Sequence, residues 1–256
     1  MTTHENVVIE QFNSKSNAYL KSAVHAAGPD LHRAQALIEQ YIPTKAKGQG
    51  IDIGCGAGHL SFALAPHLKR MVAYDPAPTM LDTVTQAALE KGISNIEVKQ
   101  GGAEALPYPD ATFCFATTRY SAHHWENLSL AVHEMKRVVK PGGYVLIIDV
   151  ETSQNPLVDT WFQTIELLRD KSHVRNRSGD EWLRYFGNAG ITLLEYSHWQ
   201  VRLDFALWAE RMKTPKPKVE MIRILQQEAP SEVLEALAIE EDGSFSIRTG
   251  LWFGRV

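Results

Sequence analysis

The sequence predicts an α/β fold, a doubly wound, seven-stranded, mostly parallel sheet, and three observations predict it. An apolar strand at residues 50–54 runs into glycines at alternate positions, Gly54, Gly56 and Gly58, and then into a helical pattern. Strand and helix patterns alternate from about residue 31 to about residue 151. Residues 144–150 are almost wholly apolar, as expected of a strand buried on both faces.

Taken in order, residues 31–42 carry apolar side chains at helical spacing and stop at Pro43. Strand one is 50–54, 60–68 is helical, and 70–75 is strand two. Residues 78–91 form a helix closed by Gly92. Strands three and four are 95–100 and 112–118, the latter after a turn at 107–110. A helix at 128–139 ends at Lys140-Pro141-Gly142-Gly143, before strand five. Five strands alternating with helices imply parallel pairing with right-handed crossovers. Beyond them lie amphipathic helices at 156–170 and 179–189, a long strand at 192–203 and a helix at 205–212. A basic, proline-broken loop at 213–218, short helices at 219–227 and 231–239, and a last strand at 244–252 complete the chain. The late helix pair suggests a small cap over the sheet edge.

The composition, 44% hydrophobic and 22% charged over 256 residues, is that of an ordinary globular protein able to bury its own core. A net charge of −4 gives no basic footprint for nucleic acid, and the 213–218 run has no interleaved aromatics. Two cysteines do not make a disulfide framework. The N-terminus lacks a signal-peptide pattern, and no apolar stretch approaches a membrane span. These features predict a cytoplasmic protein with no membrane partner and no metal ligand set.

The glycine turn decides between ligand classes. A dinucleotide fingerprint requires Gly-x-Gly-x-x-Gly, and His59 stands where the third glycine would fall. A phosphate-binding Walker turn is absent. What remains is Asp52-x-Gly54-x-Gly56-x-Gly58, with a second acid, Asp75, at the end of strand two. A carboxylate there accepts hydrogen bonds from ribose hydroxyls in related folds.

The run from Asp52 to Gly58 resembles the first motif of class I S-adenosylmethionine-dependent methyltransferases. Residues 103–110 (AEALPYPD) and 133–143 (HEMKRVVKPGG) resemble the ubiquinone/menaquinone-biosynthesis branch of that class. Residues 168–175 and 25–31 are similar to bacterial members of the branch, so the likeness spans nearly the whole chain. The resemblance implies that Asp52 holds the ammonium of S-adenosylmethionine while the turn, with Cys55 and His59, lies against its methionine part. Asp75 and Pro76 would meet the ribose, Met80 the adenine face, and Gly102, Ala103 and Glu104 the adenine edge. Relatives often carry Asp at the position of Gly102, so either Glu104 or a backbone carbonyl is left to read the adenine amino group.

The resemblance also implies that residues 1–30 form a helical lid, with Phe12, Tyr19, Ser22, His25 and Asp30 as candidates and Tyr19 the first choice. Residues 31–256 would be the catalytic domain, with 155–190 and 204–240 as cap or insertion helices. After strand four, Arg119 and His124 are expected near the cofactor. Either His123 or His124 is a candidate proton acceptor, and Tyr120 and Trp125 are candidate walls of the acceptor site. Arg169, His173, Arg175 and Arg177 form a cluster suited either to an anionic acceptor group or to a solvated loop. The expected activity is methyl transfer to a small molecule. The competing readings are a nicotinamide-dependent oxidoreductase and a non-catalytic S-adenosylmethionine-binding protein.

Overall fold

A computed structural model of the chain describes residues 2–13, 28–42 and 48–256. Its strands are β1 (Gln49–Ile53), β2 (Arg70–Asp75), β3 (Ile96–Gln100), β4 (Phe113–Arg119), β5 (Val139–Glu151), β6 (Thr192–Leu203) and β7 (Phe245–Arg255). They form one sheet in the order β3-β2-β1-β4-β5-β7-β6. The first five are parallel, whereas β7 runs antiparallel to both β5 and β6. Strand order reverses between β1 and β4, and their carboxyl ends open a crevice there, the usual ligand position in such sheets.

The described helices are α1 (His4–Asn13), α2 (Pro29–Tyr41), α3 (His59–Leu64), α4 (Pro78–Glu90), α5 (Leu128–Val138), α6 (Pro156–Arg169), α7 (Gly179–Ala189), α8 (Phe205–Arg211), α9 (Lys216–Gln227) and α10 (Ser231–Leu237). Alternate side chains of β5 and β7 serve opposite faces of the sheet. Val145, Ile147 and Trp252 pack with Val132 and Met135 of α5 and with Trp182 and Phe186 of α7. Leu146, Ile148, Leu251 and Phe253 pack with Leu31, Leu37, Leu60 and Leu64 of α2 and α3. A third apolar cluster joins Phe162, Trp208, Ile222 and Val233 of α6, α8, α9 and α10 to Val150 and Phe245 at the strand ends. This is the cap.

Four elements depart from the sequence expectation. Pro66 converts the end of the helix after β1 into a short 3-10 turn, Ala65–His67. Strand β5 begins at Val139 and takes in the Pro-Gly-Gly that was expected to be only a helix stop; its pairing with β4 shifts register between Phe113 and Phe115. Helix α9 starts inside the expected 213–218 loop, because Pro217 lies in its first turn, where the missing amide hydrogen costs nothing. Helix α7, expected in the cap, packs on the sheet instead, its buried Trp182 5.3 Å from Trp252. Among the described residues, no helix is long and apolar enough to cross a membrane.

Candidate active site

A cavity of about 490 Å³ lies over the carboxyl ends of β1, β2 and β4. Asp52, Gly54, Cys55, Gly56, His59, Asp75, Pro76, Met80, Gly102, Ala103, Glu104, Arg119 and His124 all line it, as do Tyr120 and Trp125. Gly58 does not. It begins α3 at φ +86°, and a Cβ there would stand 2.9 Å from Val84 and 3.0 Å from Phe62, so this glycine serves close packing. Gly56 differs: its φ is +51° and nothing lies within 4 Å of an added Cβ. It leaves room beside the main chain of the turn. Tyr19, Ser22 and His25 lie outside the described residues.

The two acids are held differently. Asp52 is buried and accepts a hydrogen bond from Ser61 Oγ at 2.7 Å through Oδ2, while its buried Oδ1 has no partner. Burial raises its pKa to about 7, against the Ser61 bond and with help from the charge of Asp75. Asp75 accepts from the amide of Gly56 at 2.8 Å and from that of Ala77 at 2.9 Å. Burial still lifts it to about 6. Near the far end, a Cβ on Gly102 would be 3.6 Å from carboxylate oxygens of both Glu104 and Glu5.

Helix α1 supplies a wall that the sequence reading named only through Phe12. His4, Glu5, Val8 and Phe12 line the cavity. The spacing of His4, Val8 and Phe12 by four residues is the signal that could have found this face. His4 Nε2 donates to the carbonyl of His124 at 3.0 Å, and Thr79 Oγ1 of α4 donates to the carbonyl of Asn13 at 3.0 Å, so both ends of α1 are tied down. Phe12 meets the His124 ring edge-on at 5.1 Å.

After β4 the backbone turns sharply. Tyr120 has φ +51°, a strained conformation for a bulky residue, and it is fixed by its amide bond to the Ile148 carbonyl and by its hydroxyl 2.9 Å from Thr249 Oγ1. Arg119 donates to Asp30 at 2.6 Å within the wall, with both side chains buried, and its guanidinium lies 4.7 Å from the Tyr120 ring centroid. His123 and His124 follow in a 3-10 turn. His123 Nδ1 is 2.6 Å from Asp149 Oδ1 of β5, and the His123 amide donates to Asp149 Oδ2. His124 Nδ1 donates to the Ser172 carbonyl at 3.0 Å.

The methyltransferase domain family matches residues 51–147. YafE of Escherichia coli is 41% identical over 193 residues, which are 75% of this chain and 93% of that protein. The uncharacterized methyltransferase YcgJ of Bacillus subtilis is 31% identical over 228 residues, 89% of this chain and 88% of its own. The chain belongs to the methyltransferase family. The crystal structure of YcgJ superposes with a TM-score of 0.82 at 30% identity, covering 88% of this chain and 98% of that one. A demethylmenaquinone methyltransferase of Lactococcus lactis is 25% identical over 240 residues, 84% of this chain and 94% of that enzyme. The protein is therefore an S-adenosylmethionine-dependent methyltransferase, on the same seven-stranded fold.

The residues of this methyltransferase fit the donor. Asp52 Oδ1, buried without a partner at the cavity, suits an ammonium. The cradle at Gly56 suits a ligand laid against backbone, and the Asp75 carboxylate keeps lone pairs for hydroxyl donors.

The members of the post-sheet cationic cluster are engaged in contacts within the protein. Arg169 bonds to the Trp208 carbonyl, stacks 4.6 Å from the Trp208 ring and pairs with Glu166. His173 is buried against Gln163 Oε1 at 2.8 Å, and Arg175 is paired with Asp159. Arg177 donates to the Arg175 carbonyl. None of the four lines the main cavity, whereas Arg169 lines a smaller one beside it. Their segment braces the two histidines instead: the amides of Val174 and Arg175 donate to the His123 carbonyl, and Ser172 accepts from His124.

Proposed function

We propose that the protein transfers the methyl group of S-adenosylmethionine to a small-molecule acceptor. The observation that carries this reading is the pairing of one donor-sized cavity with a second, smaller one. The second holds about 80 Å³ and shares Tyr120 and His124 with the first as common wall. In the donor cavity, Asp52 would bind the ammonium and Asp75 the ribose hydroxyls. Glu104 or Glu5 would accept from the adenine amino group in place of the side chain that Gly102 lacks.

Methyl transfer from a sulfonium needs little covalent chemistry from the protein, which aligns donor and acceptor and keeps water out. The roof formed by α1 suits that task, and it favours a small acceptor over a nucleic acid or a protein. The net charge of −4 supports the same choice, and a cytoplasmic setting accords with it. Incubating the protein with methyl-labelled S-adenosylmethionine and a cell metabolite extract tests the proposal. Label moving into a low-molecular-weight product supports it; label appearing only in nucleic acid or protein from the same extract overturns it.

A further inference from the structure

The smaller cavity contains a proton-transfer arrangement that donor binding does not use. It is walled by Tyr120, Val150, Trp208 and Ile247 on its apolar side and by Glu166, Arg169, Asp170, Asn176 and Arg211 on its polar side, and His123 borders it. Asp149 occupies His123 Nδ1 at 2.6 Å, so Nε2 is the ring atom left to take a proton. Asp149 also accepts from the His123 amide, which fixes the ring against the backbone. We propose that His123 is the catalytic proton acceptor, positioned by Asp149, and that the second cavity receives the hydroxyl of a phenolic or enolic acceptor. This rests on the reading of the first cavity as the methyl-donor site.

The chemistry of an oxygen acceptor accounts for both features. As the oxygen lone pair forms the new O–C bond, the C–S bond breaks with its electron pair passing to sulfur, leaving S-adenosylhomocysteine. The O–H proton moves to His123 Nε2 and is later lost to water. An acceptor without a proton on its reacting atom would leave the dyad idle. The ring of such an acceptor would lie against Tyr120, Trp208 and the aliphatic side chains rather than against the charged side of the cavity.

The surroundings select His123 among three packed imidazoles. Its ring lies 4.2 Å from that of His124 and 5.8 Å from that of His173. Burial, then the charge of His123, pushes His124 and His173 well below the ordinary histidine range, so both stay neutral. Burial also opposes charge on His123, but Asp149 from β5, with Glu166 and Asp170 from α6 and its end, raises it overall. Arg169 pairs with Glu166 and moderates that field.

The test loads the full chain with S-adenosylhomocysteine and titrates 4-nitrophenol, whose ionised form is read from its visible absorbance, at a pH below the phenol's own pKa. The wild type is expected to bind it saturably and in ionised form, and D149N to ionise less of it. H123Q is expected to lose the phenolate band while keeping S-adenosylhomocysteine affinity within about twofold, since His123 does not line the donor cavity. Nitrogen-15 NMR of the wild-type histidines gives a reading that needs no variant: the His123 Nε2 resonance must shift on adding the phenol. No saturable binding, an unshifted Nε2, or a phenolate band that persists in H123Q overturns the proposal. Failure of S-adenosylhomocysteine itself to bind overturns the donor reading instead.

Discussion

The amide of Gly56 donates to Asp75 Oδ2 at 2.8 Å, and this bond joins the glycine turn after β1 to the acid that ends β2. One carboxylate thus sets the turn against which the donor is to lie, and also stands ready for the ribose. D75N is expected to weaken S-adenosylhomocysteine binding roughly 10- to 100-fold, the scale of one or two charge-assisted hydrogen bonds at about 1.5–3 kcal/mol. Calorimetric titration of the variant against wild type measures it.

Donor affinity is expected to rise with pH. Asp52 and Asp75 have pKa values lifted to about 7 and about 6, so below those values the empty site holds protons that a cationic, hydroxyl-bearing ligand must displace. Ligand binding favours the ionised forms, and affinity therefore increases from pH 5 to pH 8. Titrations in buffers of different ionisation enthalpy should detect proton release at pH 6 and little at pH 8.

The same Asp52 predicts a stability cost. Its folded pKa lies above the unfolded value of 3.8, so the folded chain binds the extra proton between about pH 4 and pH 7, and stability falls as pH rises through that window. D52N removes this contribution. Thermal melts of the ligand-free protein should show the wild type losing stability relative to D52N between pH 5 and pH 8. Titration should show D52N with weakened donor binding.

Gly56 and Gly58 should separate binding from folding. G56A places a methyl in the open cradle and is expected to lower donor affinity, with a backbone cost of about 1–2 kcal/mol. G58A carries the same backbone cost and also drives a methyl against Val84 and Phe62, so its stability loss should exceed that of G56A. Urea unfolding alongside ligand titration distinguishes the two.

The Arg119–Asp30 pair ties α2 to the end of β4 in the cavity wall. D30A leaves a buried guanidinium without its carboxylate and is expected to cost about 3–5 kcal/mol, read from urea unfolding.

The sheet, and the residues that line the cavity over its carboxyl edge, were legible in the sequence because both follow local patterns. A strand and its glycine turn are contiguous, the acid ending the next strand follows 17 residues after Gly58, and β1 to β5 follow the chain in simple alternation. The surroundings of the two histidines were half legible: His123, His124, Tyr120 and Trp125 were named, but the partners of the histidines come from distant segments. Asp149 on β5 meets His123 on the loop after β4, and the segment carrying Arg169, His173, Arg175 and Arg177, which suited either an anionic group or a solvated loop, braces that loop through Ser172, Val174 and Arg175. The α1 wall was half visible, since Phe12 was named but His4, Glu5 and Val8 were not. The fate of α7 turned on Trp182, whose partner Trp252 lies 70 residues away.

The most direct measurement is calorimetric titration of the 256-residue chain with S-adenosylhomocysteine at pH 8, in parallel with D75N. The wild type is expected to show one saturable site and D75N a roughly 10- to 100-fold loss, on the scale of the charge-assisted bonds removed. No binding at millimolar ligand, or equal affinity in the two proteins, would contradict it.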